Sequence, residues 1–429
     1  MKYIIIVIIL SLKSSFLYGE DNLLYFIDSA FKNNPKLNAE RNNFKAMKEN
    51  INISRSEFLP SLTVSGSQTS TETFNRTNQS GQNLSDTNTN TETKSFSVDQ
   101  KIFQGFQGYN SLKKSQLELE KAKFQLQLIE QETILNSVTA FYDLVFKNKS
   151  KNFNISNVDL FERQVESDSV RLQKGEITLT DLAQSESSLA GARAKLIAAE
   201  TNFLTSKTNF ERITRAIVPE NLESKYELNI NLPTNLNETL KLSKTNNPNL
   251  MVAKMESLVA EKELNIEKAK FAPKASLNYT KSENNDFSSS VDENDQETVK
   301  ATLSWPLIKG GKNYSSIKKS SYKNEESRLL LEDTKNEIIS STTNSWSSFQ
   351  SSKSVLEATK AQLKAAEIAN EGITLEYDSG NTRTTLEVIQ SRTLLLDARI
   401  SKAKAERDFV VAQFELLDMI GNLNLNIIK

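Results

Sequence analysis

The chain repeats itself. Asn33-Asn34-Pro35 recurs as Asn246-Asn247-Pro248, and Phe58-Leu59-Pro60 recurs as Phe271-Ala272-Pro273, both 213 positions on. Between these anchors Leu37, Ile51 and Ile53 fall opposite Leu250, Leu264 and Ile266. Past a shorter middle segment the spacing drops to 205, where Gly105 matches Gly310, Phe141 matches Trp346 and Gly175 matches Gly380. A spacing that holds over this span with a single slip marks a tandem duplication. Whatever one half folds into, the other must fold into as well.

Each half has the same grammar. A first apolar-periodic helix, with Leu23, Phe26, Ile27 and Ala30, breaks at the Asn-Asn-Pro step, because proline disfavours helix in the residue before it. A second helix then starts at Pro35 and runs to about Glu57. Alternating segments follow: Leu62 and Val64, then Phe96 and Val98, with Leu277, Tyr279, Val299, Ala301 and Leu303 in the second half. Period two with aromatic and β-branched residues predicts strands. The segments between them, Ser65–Thr93 and Glu283–Glu297, read as exposed hairpin tips. The second is acidic, and a divalent-cation site there stands as an alternative to a solvated loop. Next come long helices from Gly108 to Lys174 and from Lys312 to Ser379, with Leu112, Leu119 and Leu126 at coiled-coil spacing. A helix of that length reaches about 100 Å, and the polar stretch 148–152 is a candidate break. Gly175 and Gly380 suit a left-handed helix stop, and shorter helices return to about Arg215 and Ile420.

With only 12 glycines and 7 prolines in 429 residues, few turns are available, as long elements require. The sequence holds no cysteine and no histidine, which removes disulfides, thiolate sites, the commonest general base and the commonest transition-metal ligand. No enzyme activity and no cofactor is expected. A formal net charge of −1 gives no basic excess for nucleic acid. Lys2, the apolar run Ile4–Leu12 and small residues up to Gly19 read as a signal peptide over 1–19, with a short membrane anchor as the alternative. The remaining divisions are a first repeat at 20–215 (hairpin 59–104), a linker at 216–235 with alternating Leu228, Ile230 and Leu232, a second repeat at 236–421 (hairpin 272–309) and a tail at 422–429.

Four strands cannot close a membrane barrel, because unpaired edges would face lipid. Three copies would supply twelve, an even number of the kind such barrels use. Soluble hairpins on a coiled-coil stalk, as in a trimeric adhesin, are the alternative.

The order of signal peptide, Asn-Asn-Pro break, Phe-Leu-Pro junction, strand into Trp305-Pro306-Leu307-Ile308-Lys309-Gly310-Gly311, and long helix ending at Tyr377–Gly380, twice over, resembles the TolC family of outer-membrane efflux ducts. The resemblance covers about Asp21 to Gly421. It implies a mainly α protein with a β-barrel: a homotrimer whose 12-stranded barrel continues into a coiled-coil periplasmic tunnel. It also implies a Gram-negative outer membrane with its lipid, and as partners a periplasmic adaptor and an inner-membrane pump, as in tripartite efflux or type I secretion. The duct itself would conduct passively through a gate.

The family's gate lies at the helical turns of the periplasmic tip, here Lys174–Asp181 and Tyr377–Gln390. The second turn, Tyr377-Asp378-Ser379-Gly380-Asn381-Thr382-Arg383-Thr384, is similar to the family's Tyr-x-x-Gly-Thr-Arg-Thr with one extra residue after Gly380. By that resemblance Tyr377 and Arg383 are the tethers of a closed tip, and Thr180 and Asp181 their partners. The family's acidic pore ring aligns with Glu387, while its second acid aligns with Gln390, so a weaker cation trap is expected. Exposed turn residues on a solvated helix face are the other reading of these positions.

Overall fold

The computed structural model describes residues 22–219, 222, 230–288, 291–379 and 383–427. The signal-peptide segment, Leu228 and Gly380 lie outside them. In order the elements are α1 (Asn22–Asn33), α2 (Pro35–Ser56), β1 (Ser61–Thr73), β2 (Arg76–Thr77), β3 (Asn83–Leu84), β4 (Thr87–Phe103), α3 (Gln107–Gln173) and α4 (Leu179–Thr214). The second half follows as α5 (Leu236–Asn246), α6 (Pro248–Ala269), β5 (Lys274–Ser288), β6 (Val291–Ser304), α7 (Lys312–Asp378) and α8 (Thr385–Met419).

The Asn-Asn-Pro steps work as capped helix starts. The Asn34 side chain accepts the backbone N–H groups of Lys36 at 2.8 Å and Leu37 at 3.3 Å. Asn247 does the same for Asn249 at 2.9 Å and Leu250 at 3.3 Å. The asparagine satisfies donors that the first turn leaves orphaned, and proline at the first helical position has none to satisfy. The polar stretch 148–152 does not break α3, which runs unbroken from Gln107 to Gln173. There Asn154 folds its amide back onto the Ser150 carbonyl at 2.8 Å, and the buried Val145 and Val158 bracket the stretch. Polar residues on the open side of a helix leave its packed side intact.

The expected hairpin tips are mostly strand. β1 extends to Thr73 and β4 begins at Thr87, while β5 and β6 approach to Ser288 and Val291. Ser, Thr, Asn and Gln pair as well as apolar residues do when the ladder, not a core, holds them. The sheet order is β1-β4-β5-β6, all antiparallel, with β2 and β3 a separate small ribbon. Among the described residues β1 and β6 each have one edge without a strand. The register puts Leu62, Val98, Tyr279 and Val299 in one row on one face, and Val64 beside Phe96 in the next. Ser61, Asp99, Asn278 and Lys300 form a row on the other face, followed by Thr63, Ser97, Thr280 and Thr298. One face is thus apolar only near the strand ends next to the helices, since Lys281 and Glu297 complete the row of Val64 and Phe96, while the other is polar throughout; Leu62, Val64, Val299 and Leu303 are all exposed.

Two compact units share the elements. One holds the sheet with 39–128 and 246–340. There Gly105 has φ +60°, and a Cβ on it would lie 2.2 Å from the Ala272 Cβ and 2.7 Å from the Ala269 carbonyl, so this turn after β4 requires glycine. The other unit holds residues up to Asn38, 129–245 and those from 341 on. Its core gathers Phe26, Phe141 and Phe210, with Phe26 edge-on to Phe210 at 4.9 Å between centroids, and with Val410 and Phe414. Leu423, buried, and Leu425, half-buried, join this core from the C-terminal segment. No described helix is long and apolar enough to cross a membrane.

Candidate functional site

The helices that follow the two turns, α4 and α8, open alike. At the first, Gly175 has φ +73°, its N–H donates to the Leu172 carbonyl at 2.9 Å, and the Glu176 N–H donates to that of Arg171 at 2.9 Å. This double closure ends a helix with a left-handed residue. α4 then opens with a capping box: the Asp181 N–H donates to the Thr178 hydroxyl at 3.3 Å, and the Thr178 N–H donates to the Asp181 carboxylate at 2.9 Å. α8 opens in the same way, with the Glu387 N–H on the Thr384 hydroxyl at 3.3 Å and the Thr384 N–H on the Glu387 carboxylate at 2.8 Å. These bonds hold both carboxyls below their ordinary values. For Asp181 the Thr178 hydroxyl is the main cause. For Glu387 it is the Thr384 N–H, followed by Arg383.

Arg383 stays within its own turn. Its Nε donates to Glu376 at 2.6 Å and its Nη1 to Glu387 at 3.0 Å. Within the chain, neither Arg383 nor Tyr377 is bonded to Thr180 or Asp181. Thr180 is exposed on the first turn of α4, and Gln390 is exposed on α8.

Tyr377 points instead into a buried polar knot. Its hydroxyl donates to Asp168 Oδ1 at 2.8 Å and lies 3.0 Å from the Thr385 hydroxyl. With the tyrosine proton committed to the carboxylate, Thr385 is the donor in the second bond. The Gln164 amide donates to Asp168 Oδ1 at 2.9 Å, and the Ser185 hydroxyl to Oδ2 at 2.6 Å. Asp168, Ser185 and Thr385 are buried, and the Arg171 guanidinium lies 4.5 Å above the Tyr377 ring. Three helices, α3, α4 and α7, meet on the Asp168 carboxylate, and α8 joins through Thr385 on the Tyr377 hydroxyl. Burial pushes the Tyr377 phenol above its ordinary value, so it remains a proton donor.

Sequence reasoning singled out Tyr377 and missed Asp168, Gln164, Ser185 and Thr385. The signal was present: Asn154, Phe161 and Asp168 recur every seven residues, and all three are buried. A carboxylate at a seam position needs partners from the facing helices. Among the described residues no group of three or more carboxylates forms a metal site, at the acidic hairpin or elsewhere.

A four-stranded sheet with exposed apolar side chains near one end and two open edges, in a chain that also has two 67-residue helices, suits strands that stand in a membrane. The chain belongs to the outer membrane efflux protein family, whose sequence model matches residues 26–214 and 239–422. It is 24% identical over 400 residues to the outer membrane efflux protein BepC of Brucella suis biovar 1 (strain 1330), covering 92% of this chain and 84% of that one. It is 22% identical over 437 residues to the outer membrane protein TolC of Escherichia coli (strain K12), covering 99% and 87%. Its fold matches the CmeC outer membrane channel of Campylobacter jejuni with TM-score 0.82 at 14% identity, over 94% of this chain and 86% of that one. The protein is an outer-membrane efflux channel that extends into the periplasm.

Proposed function

We propose that three copies form the conducting unit, closing twelve strands into one barrel, and that a periplasmic adaptor and an inner-membrane pump deliver substrate to it. The observation that carries this reading is the four-stranded sheet, with its lipid-suited face and its two open edges on β1 and β6. Edges of this kind cannot face lipid unpaired, and β6 of one copy against β1 of the next satisfies both. The protein conducts passively, and no catalytic step is assigned to it. The test is native mass in detergent together with conductance in a planar bilayer. A three-copy mass with steady cation conductance is expected, and a three-copy particle without conductance sinks the duct in favour of a stalk.

The helical turns form the gate. Tyr377 and Arg383 tether the tip, with Thr180 and Asp181 offered on the first turn, and Glu387 with Gln390 lines the constriction. Arg383 shares the Glu387 carboxylate at 3.0 Å, which weakens a ring of three such charges. Glu387→Ala is expected to move the reversal potential under a salt gradient by only a few millivolts, whereas Arg383→Ala, which unmasks the carboxylate, makes it more cation-selective. Equal reversal potentials in all three proteins count against a pore-lining Glu387.

A further inference from the structure

The two repeats differ in charge where the sheet meets the long helices. Between Glu297 and Glu325 the chain carries six lysines and no acid. Five of them, Lys309, Lys312, Lys318, Lys319 and Lys323, follow the end of β6, and all five are exposed. Gly310 and Gly311 turn the chain into α7, and across that turn the Lys312 N–H donates to the Lys309 carbonyl at 2.9 Å. Lys312, Lys319 and Lys323 stand seven and four residues apart on α7 and so share one stripe of the helix. The same stripe on α3, 205 positions earlier, is Gln107, Lys114 and Glu118. There Lys114 bridges Glu118 at 3.6 Å and Glu263 of α6 at 2.8 Å. Among the described residues the five lysines after β6 have no ion-pair partner. Like charges four residues apart on a helix repel, so the stripe on α7 carries a local cost that the stripe on α3 does not. The α6 carboxylates that meet α3, Glu263 and Glu256, stand where α2 has Asn50 and Asn43. The counterpart of α6 therefore brings no acid at these positions.

The lysines border the apolar end of the sheet. Val299, Ala301 and Leu303 alternate along one face of β6, and Trp305 follows at the same spacing. Trp305 is exposed, with its indole N–H donating to the Phe271 carbonyl at 3.0 Å, and Leu307 and Ile308 are exposed beyond it. Aromatic residues mark the rims of a barrel's apolar band, and the helices leave this rim toward the periplasm. Lys309 and Lys312 then stand at headgroup depth, with Lys319 about 10 Å further along the helix, about one Debye length away. The other end of the sheet has the opposite sign. The segment 283–297 holds six acids and no lysine or arginine beyond them, and the nearby Lys94 and Lys281 are paired with Glu92 at 3.0 Å and Glu283 at 3.5 Å.

We propose that the lysines after β6 form a binding surface for anionic phospholipid in the periplasmic leaflet. The occupant is a lipid because the surface adjoins Trp305, Leu307 and Ile308, which suit acyl chains. It is an anionic one because the lysine charge is uncompensated, and a cluster of lysines next to a membrane-embedded segment attracts acidic headgroups. The phosphate accepts from several ammonium groups and relieves their mutual repulsion along the stripe. The proposal rests on the sheet standing in the membrane and names the lipid that one rim selects.

Trp305 reports on this rim. The chain's other tryptophan is Trp346, and W346F removes its signal. Full-length W346F protein in phosphatidylcholine vesicles is titrated with brominated phosphatidylglycerol or brominated phosphatidylcholine, whose bromines quench indole fluorescence on contact. Quenching is expected to favour the phosphatidylglycerol by about fivefold, the effect of one lysine near an anionic surface, and to lose that preference in concentrated salt. Adding K309Q, K312Q and K323E installs the residues of the first repeat, Gln104, Gln107 and Glu118, which the fold already accepts at these positions. This variant is expected to be quenched equally by both lipids, whereas K94Q with K281Q at the outer rim is expected to change nothing. Equal quenching by the two lipids before these substitutions, or a preference that survives the triple change, overturns the proposal. So does a preference lost in K94Q with K281Q, which would place the anionic lipid at the outer rim. No quenching by either lipid removes the membrane placement of the sheet, and the proposal with it.

Discussion

Asp181 and Glu387 hold the same position in the two turns, the third residue of a helix whose N-cap is threonine. Thr-x-x-Asp and Thr-x-x-Glu ahead of an apolar run are legible as capping boxes, yet the family resemblance drew attention to these carboxylates as gate and pore residues. Their first role is local. Asp181→Ala is expected to cost about 1 kcal/mol through the lost cap, which chemical denaturation checks, and any change in conductance must be judged against it. Asp418 is a different case. Burial, then Glu132 and Glu415, push its carboxyl up to about 6 from an ordinary 3.8. Between about pH 4 and 6 the folded chain therefore binds a proton that the unfolded chain does not, and stability falls as pH rises through that window. Asp418→Asn is expected to be more stable than the parent at pH 7 by up to about 3 kcal/mol, and equal to it below pH 4. A gain that is the same at both pH values excludes this cause.

At the scale of elements, the helices were legible because their signals are local. The asparagine–proline steps, Gly175 and the heptad leucines each mark a boundary or a face within a few residues. The strands were only half legible. Leu62 and Val64 alternate visibly, but Ser65–Thr73 and Thr87–Ser95 are polar on both faces, and only pairing across the ladder identifies them as strand. No window of sequence contains that pairing, since β4 finds β5 across the whole length of α3 and α4. The faces give a test that depends on register alone. Val299 lies in the exposed apolar row and Thr298 on the polar face. Val299→Arg is expected to cost about 2–4 kcal/mol in a lipid bilayer if its depth is near the midplane, and Thr298→Arg close to nothing. Unfolding from vesicles compares them, and equal costs would contradict the assignment of faces.

For the whole molecule, the question is what keeps the α7–α8 pair against the α3–α4 pair at the turns. The sequence offered Tyr377 and a set of partners. Asp168 was not among them, because its importance comes from three helices converging on it and not from any motif of its own. A buried carboxylate that accepts from Gln164, Ser185 and Tyr377 is worth more than exposed ion pairs such as those of Arg383. If opening separates the two pairs, Asp168 and Tyr377 are lost as partners together. Tyr377→Phe and Asp168→Ala are each expected to raise basal conductance, and the double variant to rise no further than the larger single effect, because one interaction cannot be removed twice. Adding Arg383→Ala to Tyr377→Phe should instead add its own increment, since its partners Glu376 and Glu387 belong to a separate set. Single-channel recordings on the three single variants and the two double variants decide the matter. Fully additive effects of Tyr377→Phe and Asp168→Ala would mean that the two side chains do not act on each other, and the polar knot would have to be abandoned as what holds the turns together even if both variants conduct more.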